Sequence, residues 1–389
     1  MKLVPLAGRP EAAVRNALLS HGWEGDLCRS TAAGLELLTY HLTGAPAATL
    51  EALVTASSRL GLDVITGDDW ALLSGPRARL SALARPWTSP EPLLEFAASL
   101  GHALPSEDPR VWQTARGPLA LDQPLLLGIL NLTPDSFSDG GRYSTPDLAV
   151  ARAEELVAQG AAILDVGGES TRPGAMPVSE AEEVARVAPV IAAIVQRLPR
   201  TVLSVDTVKA GVARAALDAG AAIVNDVSGC RIDAAMAALC AERKAGVILM
   251  HSRGEVTEMA SLARAQYPGG VLPEVVAELG EAIGRARRAG VEADRIVVDP
   301  GLGFGKTPEQ NVELLRGLSA LRVLGRPVLI GPSRKRFLGA LTGRPLGERE
   351  PATAAVCVAG WEAGARLFRV HEPGLTRDAL AVALAMYPR

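Results

Sequence analysis

From residue 125 onward the chain repeats one pattern eight times. A short apolar run rich in β-branched residues stops at a polar residue, and a longer Ala-, Leu- and Glu-rich segment of helical period follows. The runs occupy residues 125–131, 161–165, 202–206, 221–226, 246–251, 295–299, 327–331 and 365–371. They are apolar throughout rather than alternating, which fits parallel strands buried on both faces, and the segments between them are long enough for crossover helices. Eight such units in the 265 residues from 125 to 389 predict a closed (β/α)8 TIM barrel. A doubly wound open sheet is the rival. It would need a G-x-G-x-x-G turn after the first strand, which is missing, and it rarely has eight strands.

In a barrel of this kind the chemistry sits at the carboxyl ends of the strands. Those ends carry Asn131, Asp165, Asp206, Asn225 with Asp226, His251, Asp299, Ser333 with Lys335, and Arg369 with His371. One Asn, Asp or Ser at such a position is ordinary turn or cap chemistry. Polar groups at all eight ends point to a site. Lysine is scarce, with five against thirty-five arginines, yet Lys209, Lys306 and Lys335 each follow a strand run closely.

Residues 1–110 read differently. An amphipathic stretch near 10–19, a run at 35–42, a helical 48–60, short apolar runs at 62–65 and 70–73, and a helical 76–83 predict a small α+β domain. The Pro- and Asp-containing stretch 104–111 reads as a linker, and the barrel domain as 120–389. His21, His41 and His102 stand isolated, so no catalytic constellation is expected in this half.

A net charge of −3 and a pI near 6.1 give no general attraction to nucleic acid or an anionic membrane. The N-terminus lacks the apolar core of a signal peptide and no apolar run approaches the ~20 residues of a membrane span, so a cytoplasmic protein is expected. Cys28, Cys230, Cys240 and Cys357 show no metal-ligand spacing and read as free thiols.

The strand ends carry long motifs: GILNLTPDSFSDGG at 128–141, DVGGESTRPG at 165–174, SVDT at 204–207, NDVSG at 225–229, DPGLGFGK at 299–306, SRK at 333–335 and RVH at 369–371. In type and order they resemble the dihydropteroate synthases, pterin-binding TIM-barrel enzymes of folate biosynthesis, over residues 125 to the C-terminus. The resemblance implies condensation of 6-hydroxymethyl-7,8-dihydropterin diphosphate with 4-aminobenzoate, giving 7,8-dihydropteroate and diphosphate. It assigns Asp165, Asp206, Asn225, Asp299 and Lys335 to the pterin, and Thr171, Arg172, Pro173, Phe304 and Ser333 to 4-aminobenzoate. Asn131, Arg369 and His371 are assigned to the diphosphate, with Asn131 as a ligand of Mg2+. Lys335, Arg369, His371 and Asp135 carry the catalytic expectation, and a homodimer formed through barrel helices is implied.

The chemistry agrees with the residue types. A reduced pterin presents a donor-rich edge, and an unmatched buried donor costs about 1–3 kcal/mol, so the pocket needs carboxylate and amide acceptors. A diphosphate leaving group needs cations, for which arginine is well shaped. Ser252, Glu372 and Arg336 stand where the family usually has methionine, aspartate and serine. The alternatives are a corrinoid-methyltransferase type of pterin barrel, which handles no diphosphate, and an inactive paralogue.

Overall fold

The computed structural model describes residues 37–84, 91–103, 109–132, 146–170 and 176–386. The chain divides into two compact units, Met1–Ser106 with Leu384–Arg389, and Glu107–Ala383. No helix among the described residues is long and apolar enough to cross a membrane.

The first unit is α+β. Strands β1 (Leu37–Thr43), β2 (Asp63–Thr66) and β3 (Trp70–Pro76) form an antiparallel sheet in the order β1-β3-β2. Helix Ala47–Leu60 precedes β2, and helix Arg77–Leu83 follows β3. In β3 the buried Ala71 and Leu73 alternate with more accessible residues, the period-two signature of a sheet packed on one face. Leu53, Leu73, Leu80, Leu93 and Leu100 share its core. The expected runs match these elements, except that 10–19 lies outside the described residues. A further helix, Leu94–Ala103, lies where no element is expected from the sequence; it buries Ala97 and Leu100 and packs Phe96 against the same core.

In the second unit a hairpin precedes the barrel. Strands β4 (Val111–Thr114) and β5 (Gly117–Ala120) pair antiparallel within a stretch expected to be linker and domain boundary. Eight parallel strands then close into a barrel: β6 (Leu125–Asn131), β7 (Ile163–Gly167), β8 (Val202–Asp206), β9 (Ile223–Asp226), β10 (Gly246–Met250), β11 (Ile296–Asp299), β12 (Val328–Ile330) and β13 (Ala365–Val370). Pairing of β13 with β6, Leu367 opposite Leu125 and Arg369 opposite Leu127, closes the ring. The open-sheet alternative is thereby excluded.

The helices obey the usual rules of ends and faces. Helix Glu180–Arg197 starts where Ser179 accepts a hydrogen bond from the Glu182 N–H at 3.3 Å, and it buries Val187, Val190, Ile191 and Ile194 on one face. Helix Pro308–Arg316 is set by a capping box in which Thr307 and Gln310 satisfy each other's backbone N–H groups. At the amino end of the strands Trp112 is fully buried with Leu121, Leu127, Ile163, Ile248, Val297, Leu329 and Leu367, and its Nε1–H donates to Arg295 O at 2.8 Å. The hairpin therefore plugs that end of the barrel. Cys230, Cys240 and Cys357 are buried free thiols.

Candidate active site

The carboxyl ends of the strands are tied together by charge. Arg369, near the end of β13, donates from Nε to Asp165 Oδ2 at 2.5 Å and from Nη2 to Asp206 Oδ2 at 2.7 Å. Asn225 Nδ2 donates to the same Asp165 oxygen at 3.0 Å. Strands β7, β8 and β13 thus meet at one guanidinium, and β9 joins them through the Asp165 carboxylate. Asp165 is fully buried, and its Oδ1 has no hydrogen-bond partner among the described residues. Burial raises the Asp206 carboxyl to about 7; Arg369 pulls it back while Asp165 and Glu183 push it up. Burial acts to lower the Arg369 guanidinium, but Asp165 and Asp206 raise it further than that, so the cation is permanent.

Across the barrel mouth, Asp299 ends β11. Its Oδ1 accepts the Gly301 N–H at 2.7 Å, and burial raises the carboxyl to about 6 against that bond and the Lys335 and Lys306 charges. Gly301 has φ +67°, and a Cβ there would lie 2.0 Å from His251 O, so no other residue fits this turn. The Lys335 Nζ sits 4.0 Å from the centre of the Phe304 ring, a cation–π contact. Burial, reinforced by Arg369, lowers the Lys335 ammonium to about 8, with Asp299 and Asp206 resisting.

The loop after β12 carries its own strain. Arg334 has φ +59°, uncommon for a residue with a side chain, and is held by Glu350 at 2.5 Å, by Glu372 at 3.3 Å and through its N–H by Thr353 Oγ1 at 3.3 Å. This turn sets Ser333 and Lys335 at the cavity. The His371 N–H donates to Ser333 Oγ at 3.2 Å, and Ser333 Oγ lies 2.8 Å from His371 Nδ1.

These groups line a cavity of about 530 Å3, within the ordinary range for a small-molecule site. Of the residues expected from sequence, Asn131, Asp206, Asn225, Asp299, Phe304, Ser333, Lys335, Arg369 and His371 all line it. Asp165 lies beneath, reaching the cavity through Arg369 and Asn225. Asp135, Thr171, Arg172 and Pro173 lie outside the described residues. Glu169, Ser170 and Arg334, which belong to the 165–174 and 333–335 motifs without an assigned role of their own, also line the cavity, as do Arg336 and Arg349.

Two ammonium groups outside the cavity lining, Lys209 partly buried and Lys306 fully so, stand out in the sequence only by scarcity and position. Lys209 donates to Glu183 at 2.6 Å, to Val178 O at 2.8 Å and to Glu169 at 2.9 Å. Lys306 donates to Phe304 O at 3.0 Å and Gly301 O at 3.1 Å and lies 3.0 Å from His251 Nδ1. Lys209 joins two carboxylates and one carbonyl, and Lys306 two carbonyls and a ring nitrogen, partners brought together only in three dimensions, so nothing local in the sequence marks them.

Among the described residues no group of three His, Cys, Asp or Glu side chains forms a protein cage. Asn131 offers a neutral oxygen, and a Cβ on Gly167 would lie 3.4 Å from its Oδ1, so glycine keeps that oxygen unobstructed on one side. One such oxygen is compatible with a cation that keeps waters and binds largely through substrate phosphates, as Mg2+ does.

The family model described as pterin binding enzyme matches residues 127–371. The dihydropteroate synthase of Bacillus subtilis is 43% identical over 251 residues, 64% of this chain and 84% of that protein. That of Mycobacterium leprae is 46% identical over 263 residues, 66% of this chain and 91% of its own. Among solved structures, Xanthomonas albilineans dihydropteroate synthase with 4-aminobenzoic acid aligns with a TM-score of 0.67 and 43% identity, covering 72% of this chain and 99% of that one. The same organism's enzyme in complex with 7,8-dihydropteroate aligns with a TM-score of 0.65 and 41% identity, over 72% and 99% of the two chains.

Proposed function

This chain belongs to the pterin-binding enzyme family, and from that premise we infer that its barrel is a dihydropteroate synthase, a transferase joining a dihydropterin to 4-aminobenzoate. The observation that carries the reading is the convergence of two acidic ends, Asp206 and Asp299, with Asn225, Lys335, Arg369 and His371 on one cavity. Carboxylates and an amide match a donor-rich heterocycle, and cations at the same mouth match a diphosphate. A barrel that only carried a methylated pterin would have no use for the second set.

In the reaction the arylamine nitrogen bonds to the pterin methylene carbon, the carbon–oxygen bond to diphosphate breaks, and the amine loses a proton. Asp206, Asn225 and Asp299 hold the pterin edge. Lys335 lies over the pterin and the aryl ring, backed by Phe304, and its ammonium offsets the negative charge gathered at the site. Arg369 and His371 stabilise charge developing on the departing diphosphate. Mg2+ would be held by Asn131 with the diphosphate itself and would supply further stabilisation of that leaving group. Phe304 and Ser333, with Thr171, Arg172 and Pro173, are assigned to 4-aminobenzoate, and Asp135 to the closing of the first loop. A cytoplasmic homodimer is the assembly we assign. The test is direct: with pterin diphosphate and Mg2+ supplied, adding 4-aminobenzoate should release diphosphate in step with dihydropteroate. Methyl transfer to a cobalamin protein, with no diphosphate released, would place the chain in the other branch.

A further inference from the structure

We propose that Lys306 is a positioning residue for pterin recognition, its buried ammonium holding the 299–306 loop in the shape that aims Asp299 and Phe304 at the cavity. The proposal rests on the reading of the cavity as a pterin site.

The loop cannot hold itself. Gly301, Gly303 and Gly305 all have positive φ, and one backbone bond, Phe304 N–H to Gly301 O at 3.1 Å, spans the turn. Three more of its polar groups are met by side chains from outside the loop. Tyr267 Oη donates to Gly305 O at 3.1 Å, Asn311 Nδ2 to Lys306 O at 3.2 Å, and the Gly303 N–H donates to Asn311 Oδ1 at 2.7 Å. Lys306 supplies the two bonds nearest the site, to Gly301 O and Phe304 O. Gly301 is the residue whose N–H holds Asp299 Oδ1, and Phe304 is the residue whose ring backs Lys335. The ammonium therefore grips both residues that fix the recognition groups. It lines no part of the cavity itself.

The third donor of Lys306 is also spoken for. Burial lowers the Lys306 ammonium to about 7, with Asp299 resisting; while protonated it can only donate, so His251 Nδ1 accepts, and its Nε2–H is left to donate to Glu278 Oε2 at 3.1 Å. Burial lowers His251 to about 4, so the ring is neutral in this chain of bonds. The His251 backbone N–H donates to Asp299 O at 2.9 Å, a second path from the lysine to the same aspartate. Lys306 is 3% exposed. A buried cation of this kind is commonly neutral or unfavourable for stability compared with an apolar residue of its size, so packing alone does not account for it.

The experiment is calorimetric titration of the full chain and its Lys306→Met variant with 6-hydroxymethylpterin and, separately, with inorganic diphosphate plus Mg2+. The variant should bind pterin at least about tenfold more weakly and diphosphate within about twofold of the original, and KM for the pterin substrate should rise by more than kcat falls. Equal loss of both ligands, or unchanged pterin affinity in a folded variant, overturns the proposal. Tyr267→Phe removes one hydroxyl from the same loop and guards against a methionine variant that does not fold; it should weaken pterin alone by about two- to threefold, and unchanged affinity would count against the proposal. An unaltered chain that binds no pterin strikes the functional reading, whereas an unaltered chain and a Met variant that bind it equally strike only the role of Lys306.

Discussion

The two ends of the barrel are built on opposite terms. At the amino end Trp112 and a ring of leucines, isoleucines and valines from the strands are fully buried and chemically silent. At the carboxyl end Asp165, Asp206, Asp299, Lys335 and Arg369 are crowded together, and burial drives Asp206 and Asp299 up and Lys335 down. One end contributes burial of apolar area; the other spends stability on groups that ligands complete. The lesson is that stability and activity should respond separately to changes at the two ends.

Arg369→Ala should have the largest effect. It removes the cation shared by Asp165 and Asp206 and leaves Asp165 buried without its partner, a change that typically costs about 3–5 kcal/mol, or roughly a thousandfold in kcat/KM if expressed in the transition state. The family resemblance assigns this residue to the diphosphate, but its contacts are with carboxylates assigned to the pterin. Affinity for pterin without diphosphate should therefore fall as well, as titration with each ligand would reveal. Loss of diphosphate affinity alone would mean that Asp165 and Asp206 hold their shape without it.

Trp112→Ala tests the opposite end. Losing a fully buried indole should cost about 3–5 kcal/mol in urea unfolding while kcat of the folded enzyme stays within about twofold. A parallel collapse of kcat would show that the two ends are not independent.

The pH profile sharpens the contrast more finely. Asp299 and Asp206 offer both oxygens and a negative charge to pterin donors only when ionised, so kcat/KM for the pterin substrate should rise as pH climbs through about 6 to 7. It should fall above about 8, where Lys335 loses its proton. Stability of the ligand-free barrel should follow a different course. The two carboxyls bind protons more tightly folded than unfolded, so their contribution is present below their ordinary value and lost as pH rises to about 7 and 6. His251, lowered to about 4, offsets part of this loss by favouring the folded state above its ordinary value. Asp206→Asn should flatten the decline in melting temperature between about pH 5 and 7.

The smallest effect is expected from removing the first unit. A closed barrel has no sheet edge to complete, and the family match begins at residue 127. A chain of residues 111–389, which keeps the Trp112 plug, should condense the two substrates within about tenfold of the full rate, or ~1.4 kcal/mol in barrier. Restoration of a dead truncation by the separate N-terminal fragment would assign the first unit a part in catalysis.

Much of this was legible in the residues themselves. The eight apolar runs declare the barrel because strands buried on both faces have no alternation to disguise them, and the polar residue stopping each run marks the mouth. The motif at 299–306 was visible as a glycine-rich string, yet the reason for its lysine was not, because Gly301 O, Phe304 O and His251 meet only when the loop folds back on β10. The plug was missed for a related reason: Val111–Thr114 and Gly117–Ala120 are four-residue strands of mixed polarity, and Trp112 is buried by partners far along the chain. Arg369 shows the limit most clearly, since residue type predicted a cation for phosphate and not its engagement with Asp165.

The central claim is that the carboxyl end recognises a pterin by carboxylates, and Asp299→Asn tests it most directly. The substitution keeps the size of the side chain while replacing one acceptor oxygen by a donor nitrogen, so the amide can keep only one of two roles, accepting from Gly301 or accepting from the ligand. Calorimetric titration with 6-hydroxymethylpterin should show affinity reduced by about 2 kcal/mol or more, with the melting temperature unchanged or raised. Undiminished pterin affinity in the folded Asp299→Asn protein would contradict the account.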